Sequence, residues 1–283
     1  MSASSVLVAA NTATFSAPLP MIANAARMAG FVGLEVWNAD IENLPGGAAA
    51  AASMLAQAGL QVPTFQLLRD FEGSGAARQA KMDEAASLMD VMQVLGAPTL
   101  LLCANTNPGS SGVWAAQIDD LRQLADLAES RNIRVGFEPL AWSQWINDYA
   151  AACKLVNAVD HAGFGIVLDV FHLFSRRTPL DVLDDIPIDK LLLVQLSNAI
   201  AMPLPPIEIA RHHRLFPADG EWPVADVVRR LTDRGYTGYF SIEVFNDEYK
   251  LQDPAAVAAA AMQSFHALFA CGAGAETATN VEN

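Results

Sequence analysis

A chain of 283 residues with 52% hydrophobic side chains can bury a large core and is too apolar for wholesale disorder. Its formal charge of -14 excludes binding to nucleic acid or an anionic membrane through bulk electrostatics, but allows a small anion held by local arginines. Cys103, Cys153 and Cys271 are an odd count without close pairing, which fits a reducing compartment; Cys103 and Cys153 read as small buried hydrophobes.

The chain opens MSASSVLVAANTATF, which lacks a basic region and breaks its apolar run at Asn11, so no signal peptide is expected. No run of about 18 apolar residues follows, so no membrane span is expected and the location reads as cytoplasmic. From there, short β-rich runs alternate with helical periodicity. Strands are expected near SVLVAAN, GLEVW, VPTFQLL, TLLLCAN, RVGFEPL, GIVLDV, LLLVQLS and YFSIEVF. Helices are expected over 21–28, 48–58, 77–95, 114–130, 148–159, 224–234 and 254–270. Three of them run into glycine before the next strand, at Gly59, Gly96 and Gly235, which suits a left-handed C-cap. Eight β/α units with apolar strands predict a single (β/α)8 TIM barrel over residues 1–272, with a frayed tail over 273–283. A doubly wound open sheet is the alternative, but AANTATFSAPLP lacks the Gly-rich turn expected after its first strand. Alanine-rich and apolar helices can support a homo-oligomer, though nothing marks an interface.

In such a barrel the functional groups sit at the C-terminal strand ends. Strands five to eight each carry one there: Glu138 in GFEPL, Asp169 in VLDVF, Gln195 in VQLSN and Glu243 in SIEVF. Singly, a strand-end carboxylate caps a helix or meets a lysine. Jointly, three carboxylates repel unless a cation or protons compensate them. An all-oxygen set favours a hard divalent ion, Mg2+ or Mn2+; zinc would recruit histidine or cysteine, and no histidine occupies a strand-end position. Arg69, Arg211 and Arg214 are candidate clamps for a carboxylated substrate. His172 competes with His212 and His213 for acid/base work, and its place beside Asp169 favours it. In GIVLDVFHLF, Asp169 and His172 fall on opposite faces of a continuous strand. The strand is therefore expected to end near Asp169, leaving His172 in a loop over the barrel mouth.

The pattern FEPLAW, DHxxxGxxLDxFH, VQL, RHHRLFP and SIEVFND resembles the xylose-isomerase-like barrels, and within them the bacterial 3-dehydroshikimate dehydratases. The similarity runs from GLEVWNAD to EVFND. It implies a divalent metal on Glu138, Asp169, Gln195 and Glu243, with His172 as catalytic base and Arg69 and Arg214 holding the substrate. The substrate class is then a small anionic hydroxy-ketone, and the product of dehydration is protocatechuate. The chain departs from the family pattern at Ser197-Asn198, Ala210 and Ala218, in loops expected to line the substrate pocket. Beside the dehydratase stand two other readings. One is a ketose or inosose isomerase, epimerase or dehydratase of the same superfamily, in which Glu138 and Glu243 form the acid/base pair. The other is a ligand-binding barrel without catalysis.

Overall fold

The computed structural model describes residues 6–270, and all eight expected strands form within them. The strands are β1 (Leu7–Asn11), β2 (Gly33–Trp37), β3 (Phe65–Arg69), β4 (Thr99–Cys103), β5 (Arg134–Glu138), β6 (Phe164–Asp169), β7 (Leu191–Leu196) and β8 (Tyr239–Ile242). The α-helices are α1 (Leu19–Ala29), α2 (Asn38–Glu42), α3 (Gly47–Ala58), α4 (Arg78–Leu95), α5 (Trp114–Glu129), α6 (Tyr149–Val159), α7 (Val170–Ser175), α8 (Pro206–His212), α9 (Val224–Asp233) and α10 (Pro254–Ala270). The strands pair in parallel in chain order, and β1 closes against β8 from Leu7 opposite Tyr239 to Ala10 opposite Ile242. The result is one closed (β/α)8 barrel. The expected tail over 273–283 lies outside the described residues.

Strands β4 and β6 are buried along their whole length. A parallel strand with packed side chains inside the barrel and helices outside has no solvated face, which is why these segments read as unbroken apolar runs. Phe65, Phe137, Phe164 and Phe240 are fully buried, each stabilising the fold by roughly 1.5–3 kcal/mol relative to exposure. Helices α3 and α4 end at Gly59 and Gly96, whose φ values of 69° and 70° are costly for a residue with a Cβ.

β6 ends at Asp169, as parity requires, but the segment beyond is not a loop: it is the short helix α7. The cause is local. Asp169 Oδ1 accepts from Phe171 N at 2.8 Å and so satisfies a first-turn donor. Helical periodicity then turns His172 back toward the barrel mouth. Helices α2 and α8 are also additions to the expected elements; both are too short to show a clear apolar period.

The loop after β3 buries a carboxylate of its own. Glu72 Oε1 accepts from Asn105 N at 2.6 Å, while Oε2 is buried without a partner. Burial, with Asp70 and Asp120 nearby, pushes this carboxyl up to about 8. The folded protein therefore holds a proton that the unfolded chain releases near 4.5. Its contribution to stability is complete below the lower value and is lost as pH rises through the upper one. Urea unfolding is expected to show the wild type losing stability between pH 5 and about pH 8, and Glu72→Gln losing less. Equal pH slopes in the two proteins would assign the dependence to another group.

Candidate active site

Side chains from β5, β6 and β7, and from the residue after β8, converge at the C-terminal end of the barrel as Glu138, Asp169, Gln195 and Glu243, all buried. Above them lies a cavity of about 160 Å³, lined among others by Glu138, His172, Glu243, Arg69, Arg211 and Arg214. Arg214 Nη1 lies 2.8 Å from Asp169 Oδ2 and 3.2 Å from Glu243 Oε2, and its Nε donates to Ala210 O at 2.9 Å. The guanidinium also packs 4.6 Å from the Phe171 ring centroid. Burial opposes its charge, but Asp169 and Glu243 hold it above the usual arginine value.

One guanidinium does not neutralise the carboxylates around it. Burial, with Asp169 next in effect, pushes Glu138 up to about 8. Burial also drives Glu243 well above the carboxylate range, although Arg214 opposes it. Gln195 Nε2 donates to Glu243 Oε1 at 3.1 Å and to Glu35 at 3.2 Å, leaving Gln195 Oε1 buried without a partner. An orphaned carbonyl oxygen beside under-neutralised carboxylates fits a divalent cation. Ligand atoms of Glu138, Asp169 and His172 also lie within 4.8 Å of one another. The helical turn of α7 thus brings the His172 ring beside the oxygen set.

His172 is buried, with Nε2 3.5 Å from Asp169 Oδ2 and 3.7 Å from Glu138 Oε1, and Trp142 packs edge-on to its ring. Its Nδ1 accepts a hydrogen bond from Ala141 N at 3.0 Å. Burial lowers its pKa to about 4, against the pull of Asp169. The neutral ring therefore carries its proton on Nε2 and presents a donor to the carboxylate side. The base role expected of His172 calls for the other tautomer, with the proton on Nδ1. To accept a proton at Nε2 the ring must change tautomer and turn an N–H against the Ala141 N–H.

Arg69 ends β3 and Arg211 lies near the end of α8; both are exposed and line the cavity. The acids that could have paired with Arg69 have other partners: Asp70 accepts from Thr106 N and Oγ1, and Glu72 from Asn105 N. His212 does not line the cavity; its Nδ1 meets Asp247 at 3.0 Å on the surface. Of the departures from the family pattern, only Ala210 lines it. Asn198 instead ties loops together, donating to Pro217 O and Trp222 O and accepting from Ala199 N and Trp222 N. Ala218 is exposed, with its N–H donated to Ser264 Oγ. Asn198 and Ala218 therefore carry less information about substrate than their positions in the sequence suggest.

Three polar residues of this centre come from the first half of the chain and are not expected at the site from sequence. Glu35 in β2 is wholly buried and accepts from Thr64 Oγ1 at 2.9 Å and Gln66 Nε2 at 2.8 Å. Asn11 at the end of β1 donates to Glu243 Oε1 at 2.8 Å. Cys103, at the end of β4, is buried as expected, but its thiol donates to Glu138 Oε2 at 3.1 Å and lines the cavity. The available signal was the one that exposed Asp169, an ionisable residue inside an apolar strand run, and GLEVW carries it too.

The family model described as xylose isomerase-like TIM barrel matches residues 22–268, and the chain belongs to that family. It is 35% identical over 240 residues to a 3-dehydroshikimate dehydratase of Pseudomonas putida, covering 84% of this chain and 38% of that protein. A solved xylose isomerase-like TIM barrel/4-hydroxyphenylpyruvate dioxygenase fusion protein superposes with a TM-score of 0.88 at 33% identity, over 92% of this chain and 42% of that one. The chain thus spans about two fifths of the length of these relatives. The IolI protein, solved with a bound zinc atom, shares the fold with a TM-score of 0.85 at 17% identity, over 94% of this chain and 99% of that one. No described helix is long and apolar enough to cross a membrane.

Proposed function

We propose that this barrel is a lyase that dehydrates 3-dehydroshikimate, a small anionic hydroxy-ketone, to protocatechuate. The observation that carries the reading is one cavity joining an under-neutralised oxygen cluster to two exposed arginines, Arg69 and Arg211. Similarity to proteins named for that dehydration supports it. The IolI protein, solved with a zinc atom, supports a metal in a barrel of this fold.

Glu138, Asp169, Gln195 and Glu243 would hold a divalent ion, with His172 beside them. When bound, the ion supplies Lewis-acid stabilisation of negative charge developing on the substrate ketone. Arg69 and Arg211 supply the clamp for the substrate carboxylate, because Arg214 Nη1 and Nε are committed to Asp169, Glu243 and Ala210. His172 donates its Nε2 proton as a hydrogen bond to the oxygen on which charge grows. The proton on the carbon beside the ketone passes to a carboxylate oxygen of Glu138 or Glu243, both of which line the cavity. The β-hydroxyl leaves as water with the proton that the carboxylate took up, and one further ring proton passes to the former ketone oxygen, which completes the aromatic ring. Trp37, Trp142 and Phe245 line the cavity and limit water around these steps.

The test is protocatechuate formation from 3-dehydroshikimate by purified protein, before chelation, after it, and after add-back of Mg2+, Mn2+ or Zn2+. Turnover lost on chelation and restored by one of these ions is expected. Turnover of ketoses or inososes without water loss, and none of 3-dehydroshikimate, would move the chain to the isomerase reading. Activity indifferent to chelation would remove the metal.

A further inference from the structure

Asn11 and Gln195, two amide side chains of this centre, are held in different ways. Asn11 Oδ1 accepts from Trp37 Nε1 at 2.8 Å and from Ala13 N at 2.9 Å. Its orientation is therefore set by donors that lie apart from the carboxylates, and Nδ2 faces Glu243 regardless of what else is present. Gln195 has no such donor on its oxygen. Its orientation rests on its nitrogen alone, between Glu243 Oε1 at 3.1 Å and the two oxygens of Glu35 at 3.2 and 3.3 Å.

Glu35 is built to act as an acceptor. Thr64 Oγ1, Gln66 Nε2, Gln195 Nε2 and, at a longer 3.4 Å, Asn11 Nδ2 all point donors at it. A wholly buried carboxylate costs several kcal/mol to desolvate, and such a group persists where hydrogen bonds compensate it. Glu35 itself does not line the cavity, so it does not reach substrate there. Of the four candidate ligands, the one Glu35 meets directly is Gln195, whose amide oxygen is left buried and unpartnered.

We infer that Glu35 is a positioning residue, which fixes the Gln195 amide with its nitrogen turned away and its oxygen free to ligate the metal. The inference rests on the metal reading above and adds to it the device that distinguishes amide oxygen from amide nitrogen. Thr64, Gln66, Asn11 and Gln195 all donate to the Glu35 oxygens, so this carboxyl meets the amide as an acceptor, which admits the nitrogen and rejects the oxygen. A glutamine in its place would offer an N–H as well as an oxygen, and the Gln195 amide could then settle either way round.

Calorimetric titration of metal-stripped protein with Mn2+ tests this without measuring turnover. Glu35→Gln is expected to weaken Mn2+ binding by about 10- to 100-fold, as loss of a group that orients a ligand commonly does. In a Gln195→Ala background, the same Glu35 substitution should change affinity by less than about threefold, because the residue through which Glu35 acts is gone. A residue that merely supports the fold would weaken binding equally in both backgrounds, and that result overturns the inference. Unchanged affinity in folded Glu35→Gln also overturns it. Should Glu35→Gln not fold, Glu35→Asp keeps a carboxylate but withdraws it from Gln195. An intermediate loss is then expected, and none would count against the assignment. Wild-type protein that binds no Mn2+, Mg2+ or Zn2+ overturns the metal reading itself, a distinct outcome from wild-type binding with an indifferent Glu35 variant.

Discussion

His172→Ala is expected to lower kcat for dehydration by about 10²–10³, the usual cost of removing one hydrogen-bond donor aimed at developing negative charge. His172→Gln should recover part of that loss, because its amide keeps an N–H donor in the same region. This pair of variants separates two roles for one residue. If the ring were the base, the glutamine would be as inactive as the alanine, since an amide cannot take up the proton. The Ala141 N–H bond to Nδ1 is the reason to expect the donor. Equal loss in both variants would show that the ring changes tautomer when substrate binds and would return His172 to the base role.

Arg214→Met is expected to destabilise the metal-free protein by about 3–5 kcal/mol, the range for removing one partner from a buried ion pair. Asp169 and Glu243 stay buried in the variant but lose the guanidinium at 2.8 and 3.2 Å. Those carboxylates then have more to gain from a divalent ion than they do in the wild type. Thermal or urea unfolding with and without Mn2+ should therefore show a larger metal-induced stabilisation in the variant. Saturation at about 100 times Kd is worth roughly 2.7 kcal/mol for any ligand that binds only the folded state. A variant as stable as wild type, or one gaining less from Mn2+, would show that Arg214 is not the internal cation of this centre.

Asp169, Gln195, Glu138 and Glu243 were legible because each closes an apolar run at a strand end, where a buried charge or amide has no reason to sit unless it has a task. Glu35 carried the same mark in β2. Its role is not legible there, because its partners, Thr64, Gln66 and Gln195, are distant in sequence and meet it only once the barrel closes. Cys103 illustrates a different limit. Its burial was read correctly, but a thiol that packs as a hydrophobe and a thiol that donates to Glu138 look the same in a sequence. Asn198 failed in the opposite direction. A polar residue just past a strand end suggested the pocket, whereas its four hydrogen bonds join loops that no periodicity describes. The turn of His172 toward the site was legible only in part. Parity forced the strand to stop at Asp169, but the helix that follows depends on that same carboxylate acting as its cap.

The bond between Asn11 and Glu243 joins residues 232 positions apart, from the first strand to the residue after the last. During synthesis the chain therefore emerges with its chemistry unassembled. Asn11 and Glu35 are made early, yet Gln195 and Glu243, the groups they hold, leave the ribosome late. Until β8 arrives to complete the ring, a nascent chain has neither the full oxygen cluster nor the closed floor beneath it. The first and last strands thus act as a seal on timing: the centre can form only once the barrel has closed.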